Sequence, residues 1–212
     1  MNGIYAIKPK FQQLLRPSEA ALISLGVHPD VITLSALGLS IAGGFALLFA
    51  QEPGTLVLLC TIPLVTLGRT ILNALDGMVA KDTGLARPWG EVLNEFSDRL
   101  ADVALFGGLI FSRLCNQQLM CASLISVVLS SYLGILAKAA GGSRQYGGVM
   151  GKADRMVLLA LAGPLAFILA VTGVCQPNVV FDVFALVVLG GSLLTIVERA
   201  RKTYADLKSN NN

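Results

Sequence analysis

The sequence predicts an all-α polytopic membrane protein, a bundle of six transmembrane helices with an amphipathic helix at its N-terminus. Hydrophobic residues make up 54% of its 212 residues and charged residues only 14%, whereas soluble domains contain about 25% charged residues. Six apolar runs alternate with short polar segments, and about 20 apolar residues suffice for a helix to cross a bilayer. Basic residues at the membrane surface account for the net charge of +3, so no nucleic-acid partner is expected.

Residues 1–17 are predicted to form an amphipathic helix that lies among the lipid headgroups. Apolar residues recur on one face, while lysine, arginine and glutamine occupy the other positions, although Pro9 interrupts the pattern. A disordered polar leader is the alternative. The apolar positions are Ile4, Ile7, Phe11, Leu14 and Leu15.

Each of the six apolar runs predicts one transmembrane helix. The runs are Val31–Ala50, Thr55–Leu75, Leu93–Phe111, Leu119–Ala139, Met156–Val174 and Val179–Val197. The third is marginal because it carries four charged side chains, which avoid lipid only at the interface or in a wet cavity. These are Glu95, Asp98, Arg99 and Asp102. The predicted membrane domain covers residues 18–201, and a polar tail follows over residues 202–212, with its final KSNNN expected to be disordered.

Lysines and arginines are concentrated at one set of helix ends, which predicts the orientation of the chain. The three loops at the opposite ends contain only Arg113 among these basic residues. Both termini and the segment between the second and third spans are therefore expected to face the cytoplasm, and six spans satisfy that arrangement. The predicted location is a bacterial inner membrane.

The segment from Asn73 to Asp102 places polar residues on two helical faces that can oppose each other. One face ends the second span and the other begins the third, with residues spaced by three or four positions. Converging oxygen ligands favour Mg²⁺ or Mn²⁺, so metal-assisted phosphoryl transfer is one interpretation. Polar contacts between the helices of a channel or transporter are the other. The faces consist of Asn73, Asp76, Gly77 and Ala80, and of Gly90, Asn94, Asp98 and Asp102.

The same segment resembles the signature of the CDP-alcohol phosphotransferases, membrane enzymes that make phospholipids. That signature reads D-x-x-D-G-x-x-A-R, then eight residues, then G-x-x-x-D-x-x-x-D. The matching residues, at unbroken spacing, are Asp76, Gly77, Ala80, Gly90 and Asp98. Residues 26–39 also resemble the start of the family's first span, and residues 147–156 resemble the segment that enters the fifth.

Three positions depart from this signature, because Asn73 and Asn94 replace aspartates and Lys81 replaces an arginine. The loss of two carboxylates favours one tightly held metal ion, or two held only with nucleotide, over a preformed two-metal site. Glu95 could compensate, but it lies about 100° around the helix from Asn94, so a supporting or surface role is favoured. A non-catalytic pseudoenzyme that binds lipid or nucleotide remains an alternative, as does an ion or solute transporter.

The resemblance implies that a phosphatidyl group passes from CDP-diacylglycerol, or a similar CDP-linked lipid, to an acceptor alcohol with release of CMP. It assigns the general base to Asp98 and also suggests a homodimer in contact with membrane lipids. The residues that it assigns to Mg²⁺ or Mn²⁺ are Asp76, Asn73, Asn94 and Asp98. Those that it assigns to the nucleotide are Asp76, Gly77, Ala80, Lys81 and Gly90.

Basic residues among the glycines between the fourth and fifth spans are candidates for binding the acceptor. They are Arg144, Lys152 and Arg155. Related enzymes use a basic pocket in this region, which implies a phosphorylated acceptor such as glycerol 3-phosphate or an inositol phosphate. Anchoring to anionic lipid is the alternative. Arg69, deep in the second span, is expected to pair with a buried carboxylate such as Asp102.

Overall fold

Seven α-helices and one 3₁₀ helix form the regular structure of the chain in a computed structural model, which describes residues 8–52 and 54–210. The helices are α1 (Lys8–Ser24), α2 (Pro29–Phe49), α3 (Ile62–Asp82), α4 (Pro88–Phe111), α5 (Gln117–Ala139), α6 (Lys152–Val171) and α7 (Pro177–Asn210), and the 3₁₀ helix Leu56–Thr61 leads directly into α3. Within the described ranges there is no β-strand. The predicted all-α class is therefore confirmed.

Proline and capping residues set where several of these helices begin. Pro29, Pro88 and Pro177 are the first residues of α2, α4 and α7, a position where the missing N–H of proline costs nothing. The imidazole of His28 accepts a hydrogen bond from the backbone N–H of Asp30 at 3.2 Å and so caps α2. The starts of α2 and α4, which lie at the predicted site, are thus encoded locally.

Within residues 8–52 and 54–210, five segments are long and apolar enough to cross a membrane: α2, the 3₁₀ helix together with α3, α5, α6 and α7. α4 is not among them, because charged residues interrupt its first half, although its 24 residues correspond to about 36 Å. The chain is therefore an integral membrane protein, and the sixth span stays a prediction.

α1 extends beyond its predicted boundary at residue 17 and continues to Ser24. Leu15 is buried against α3, in a cluster that contains Met78 and Val79. The helix is thus fixed to the end of α3 that carries the predicted signature. Ile4 and Ile7 lie outside the described residues, so the interfacial role of this segment stays a prediction.

α7 is longer than the sequence predicts, since it continues to Asn210. The prediction that the final residues from Lys208 are disordered is therefore wrong as far as Asn210. The Asp206 carboxylate accepts hydrogen bonds from the backbone N–H of Ser143 at 2.6 Å and from its hydroxyl at 2.7 Å. These contacts attach the polar extension to the rest of the bundle, which a pattern of apolar residues could not reveal.

α2 and α4 pack backbone against backbone at two glycines. A Cβ atom added to Gly44 would lie 2.3 Å from the carbonyl oxygen of Ala104, and one added to Gly108 would lie 2.2 Å from the carbonyl oxygen of Gly44. A side chain at either glycine would therefore push the helices apart. The contact fixes α4 beside α2 and so determines where the polar residues of α4 lie.

We expect Gly108→Ala to destabilise the protein by about 1–3 kcal/mol, because the added methyl group overpacks the contact between α2 and α4. Gly107→Ala is a matched control on the same helix, since its Cβ would meet nothing within 4 Å. Thermal unfolding of both purified variants in one detergent measures the difference. Equal unfolding midpoints would show that the helices do not touch at Gly108.

Candidate active site

A cavity of about 770 Å³ opens at the end of the bundle where α3 ends and α4 begins. Residues from α2 to α7 line it, together with the segment between α5 and α6. Acidic and amide side chains of α3 and α4 contribute to the lining, and the part formed by Arg144, Lys152 and Arg155 is its basic side. Its volume suits a small-molecule or cofactor site.

Asp76 of α3 is buried in this cavity and joins three helices. Its Oδ2 accepts hydrogen bonds from the hydroxyl of Thr33 on α2 at 2.8 Å and from the amide of Asn94 on α4 at 2.7 Å. Only 5% of the residue is exposed. The Asp76 carboxylate is therefore held in one orientation by neighbours from both adjacent helices.

Asp98 of α4 is the second buried carboxylate of the cavity. Its Oδ1 accepts a hydrogen bond from the amide of Asn73 on α3 at 3.3 Å and pairs closely with the Lys152 ammonium group of α6. A guanidinium nitrogen of Arg69 lies 3.7 Å from the same oxygen. Asp98 thus faces the basic side of the cavity, whereas Asp76 faces α2.

The four residues predicted to bind metal come together as two crossed pairs, each with one carboxylate and one amide from the opposite helix. Both amides now donate through nitrogen, and rotation of either group would present its oxygen instead. Among the described residues, no three histidine, cysteine, aspartate or glutamate side chains form a group that could hold a metal ion. Two of the four converging positions, 73 and 94, carry amides instead of carboxylates.

A buried ionic cluster lies beneath the cavity floor. Both terminal guanidinium nitrogens of Arg69 lie 3.2 Å from Asp102 Oδ1, and a terminal nitrogen of Arg155 lies 3.1 Å from Asp102 Oδ2. The predicted pair of Arg69 and Asp102 is confirmed. Arg155, predicted to bind the acceptor, lines the cavity but is 2% exposed and already pairs with Asp102.

The residues predicted to bind nucleotide separate into two groups. Asp76, Gly77, Ala80 and Gly90 line the main cavity. Lys81 does not. It is exposed and lines a separate cavity of about 100 Å³ beside α1, because one further residue rotates a helical side chain by about 100°.

Arg144, the first residue predicted to bind the acceptor, pairs with two glutamates of α4. A guanidinium nitrogen lies 3.1 Å from Glu91 Oε1, and another pairs closely with Glu95. The guanidinium group also lies over the Tyr146 ring, 4.5 Å from its centroid. Glu95 therefore contacts the basic side of the cavity, which agrees with the supporting role favoured by its position in the helix.

α7 holds the segment between α5 and α6 that carries Arg144. The contacts span the segment from its first residues to its last, so its backbone is fixed at several points. They are Ser143 N to Asp206 at 2.6 Å, Arg199 Nε to the Gly147 carbonyl at 2.9 Å, and Met150 N to Thr195 Oγ1 at 2.8 Å.

Sequence reasoning missed three contributors to the cavity. Thr33 binds Asp76, and its spacing of four residues from Pro29 on the cavity face of α2 was an available signal. Arg199 also lines the cavity, although the sequence indicates only that it belongs to the basic residues at one set of helix ends. Ser131 of α5 also lines it and accepts a close hydrogen bond from Arg99, a contact that no sequence pattern indicates.

No protein-family model matches the sequence, but individual relatives do. Inner membrane protein YnbA of Escherichia coli is 38% identical over 160 residues, which cover 76% of this chain and 78% of the relative. The phosphatidylinositol phosphate synthase of Corynebacterium glutamicum is 31% identical over 206 residues, which cover 94% of this chain and 87% of that enzyme. The synthase of Streptomyces avermitilis is also 31% identical, with 89% and 77% of the two chains covered.

The fold is shared with the phosphatidylinositol phosphate synthase of Mycobacterium tuberculosis. Its crystal structure with CDP-DAG bound superposes with a TM-score of 0.70 over 89% of this chain and 92% of the other, at 24% sequence identity. A second crystal structure of that enzyme, in complex with manganese and citrate, gives the same TM-score and covers 88% of that chain.

Proposed function

The chain belongs to the CDP-alcohol phosphotransferase family, and from that membership we propose that it transfers a phosphatidyl group from CDP-diacylglycerol to an inositol phosphate, with release of CMP. It is a membrane-embedded transferase of phospholipid synthesis. The observation that carries the choice of substrates is that one cavity contains both the buried carboxylates Asp76 and Asp98 and a basic side formed by Arg144 and Lys152. Relatives named phosphatidylinositol phosphate synthases favour an inositol phosphate over glycerol 3-phosphate as the acceptor.

The proposed cofactor is Mg²⁺ or Mn²⁺, held by Asp76 and Asp98 with the side-chain oxygens of Asn73 and Asn94. The two crossed pairs bring these four side chains together from α3 and α4. Rotation of the two amides would make all four donors oxygens, which suits hard divalent cations. When bound, the ion neutralises charge on the diphosphate of the donor. Two carboxylates instead of four favour a single resident ion.

Asp98 is the proposed general base. Its Oδ1 faces the basic side of the cavity beside Lys152, where a bound acceptor would present its hydroxyl group. The carboxylate takes the hydroxyl proton while the acceptor oxygen attacks the phosphorus that bears the lipid. The bond from that phosphorus to the bridging oxygen breaks, and CMP leaves with the electron pair.

The nucleotide is proposed to lie along Gly77, Ala80 and Gly90. These residues have no side chain or only a methyl group and so leave room for it. Arg87 lines the same part of the cavity and pairs closely with Asp30. Because Lys81 lies outside the cavity lining, we assign the phosphate contact of the missing arginine to Arg87. Its planar guanidinium group also suits a diphosphate better than an ammonium group does.

The acceptor phosphate is proposed to bind Arg144 and Lys152, and Arg155, which pairs with Asp102, lines the same cavity. Arg199, which lines the cavity next to this group, extends the basic surface. The arrangement combines a site for a negatively charged group with a carboxylate base a short distance away. An acceptor with both a phosphate and a free hydroxyl meets both requirements.

The membrane arrangement follows from the same site. We propose that α4 is the sixth span, since its deepest acidic residues, Asp98 and Asp102, are buried against other helices instead of lipid. The concentration of lysine and arginine at the cavity end supports a cytoplasmic site. A homodimer is proposed from the family resemblance, and light scattering in detergent tests it.

Purified protein in detergent should release CMP when given CDP-diacylglycerol, Mn²⁺ and inositol phosphate, with phosphatidylinositol phosphate as the lipid product identified by mass spectrometry. Chelation by EDTA should abolish the release, and added Mn²⁺ should restore it. Glycerol 3-phosphate and unphosphorylated inositol serve as competing acceptors. Metal-dependent nucleotide binding without CMP release would support a pseudoenzyme, and ion flux without CMP release would support a transporter.

A further inference from the structure

Two glutamates of α4 occupy the basic side of the cavity where an anion would bind. Glu91 pairs with Arg144 at 3.1 Å and with Lys138 at 2.8 and 3.0 Å, and Glu95 pairs closely with Arg144. Neither carboxylate takes part in the crossed pairs of Asp76 and Asp98. Their contacts therefore place them at the basic side of the cavity and not at the predicted metal site.

These carboxylates contact the guanidinium nitrogens of Arg144 that an incoming anion would bind. The Arg144 side chain is 17% exposed and that of Glu95 is 21% exposed, so the pair is partly sheltered from water. Glu91, with 45% of its side chain exposed, lies at the outer edge. Arg144 is therefore neutralised before any acceptor binds. A bare anion that takes over Arg144 leaves Glu95 without this partner, whereas Glu91 keeps its pair with Lys138.

Arg144 also has contacts other than the glutamates that hold its position. Its guanidinium group lies over Tyr146, and the segment around it is fixed to α7 through Ser143 and Met150. Removal of one glutamate charge should therefore change the electrostatics of the site without releasing the arginine. This separation makes the role of the charge measurable.

We propose that Glu91 and Glu95 determine acceptor specificity by competing with anions for Arg144. The preferred acceptor is a polyol phosphate, whose phosphate takes over the arginine while its hydroxyl groups donate hydrogen bonds to the displaced carboxylates. Inorganic phosphate carries the charge but lacks the polyol, so the glutamates select against it. This role rests on the proposed function and deepens it, because it names the residues that select the acceptor in the same cavity.

The test compares Glu95→Gln with the unmodified protein. Glutamine keeps the shape and an oxygen acceptor for hydroxyl groups but removes the negative charge. We expect the inhibition constant for inorganic phosphate to fall by about two- to fivefold, the range typical of a partly exposed ion pair. The KM for inositol phosphate should change less. The inhibition constant for phosphate divided by the KM for inositol phosphate therefore falls. An unchanged or higher ratio would overturn the proposal.

Two further measurements keep the outcomes separate. Glu198→Gln removes a glutamate that pairs with Lys202 at 2.6 Å outside the cavity, and it should leave the ratio unchanged. Calorimetric titration of inorganic phosphate into each protein reports anion binding without turnover. Tighter phosphate binding by Glu95→Gln, in a protein that never releases CMP, would support the role of the glutamates and reject the proposed function.

If unmodified protein turns over while both constants stay the same in Glu95→Gln, the glutamate proposal alone fails. Should Glu95→Gln not fold, Glu91→Gln provides the same comparison from the outer edge of the site, with the same expected direction. Folding is checked by thermal unfolding before either assay.

Discussion

Replacement of Asp98 by asparagine is expected to lower the turnover number for CMP release by about 10²- to 10⁴-fold, the usual contribution of a general base. Asparagine keeps the size of the side chain and an oxygen near Asn73, but it cannot take a proton. The substitution also leaves the Lys152 ammonium group without its close carboxylate partner. The measurement is the initial rate of CMP release at saturating CDP-diacylglycerol and acceptor.

Asp82→Asn is the matched control for this prediction. Asp82 is an acidic residue at the end of α3 whose carboxylate lies 2.6 Å from Arg16, and it lies outside the lining of the main cavity. It should keep nearly all of the activity. A loss of less than tenfold in Asp98→Asn, with the unfolding midpoint unchanged, would mean that another group takes the proton.

The helical period predicted much of the site because its geometry is local. Asn73 and Asp76 are three residues apart on α3, and Asn94 and Asp98 are four apart on α4, so each pair faces one direction. The short connection between the helices then requires these faces to meet. The observed bonds from Asn73 to Asp98 and from Asn94 to Asp76 are the result.

The basic side of the cavity could not be predicted in the same way. Arg144 and Glu95 are separated by 49 positions in the sequence, and their contact depends on how α5, α7 and the intervening segment pack together. Sequence reasoning identified Arg144 as a cation near the site but not its carboxylate partners. Pairing across such distances follows from helix packing, which has no local signature.

Lys81 and Asp102 show what a known signature predicts wrongly and what it leaves out. The signature places a basic residue next to Ala80, yet the helix turns Lys81 away from the cavity lining towards α1. In contrast, Arg69 and Asp102 belong to no part of the signature that was used, and their pairing was predicted correctly from the cost of charge within a membrane. The free-energy cost of charge within a membrane predicted the buried pair correctly, whereas position in the signature alone misplaced the exposed Lys81.

Asp102→Asn is expected to destabilise the protein by about 3–5 kcal/mol, the typical effect of removing one partner from a buried ion pair. The Asp102 side chain has no exposed surface, and those of Arg69 and Arg155 are only 1% and 2% exposed. Asparagine would leave both arginines buried with no carboxylate at that position. Water cannot easily replace the lost partner, because this cluster lies beneath the cavity floor.

Thermal unfolding in detergent measures this effect. Glu198→Gln is the control, because its exposed pair with Lys202 should contribute little to stability.

The geometry also predicts which residue would offset part of the destabilisation. Asp98 Oδ1 lies 3.7 Å from a guanidinium nitrogen of Arg69, so a shift of this arginine towards Asp98 could recover part of the loss. In that case Asp102→Asn would also lower activity, because Asp98 would be drawn away from Lys152 and the acceptor. A stable Asp102→Asn variant with full activity would contradict both the buried cluster and its connection to the proposed base.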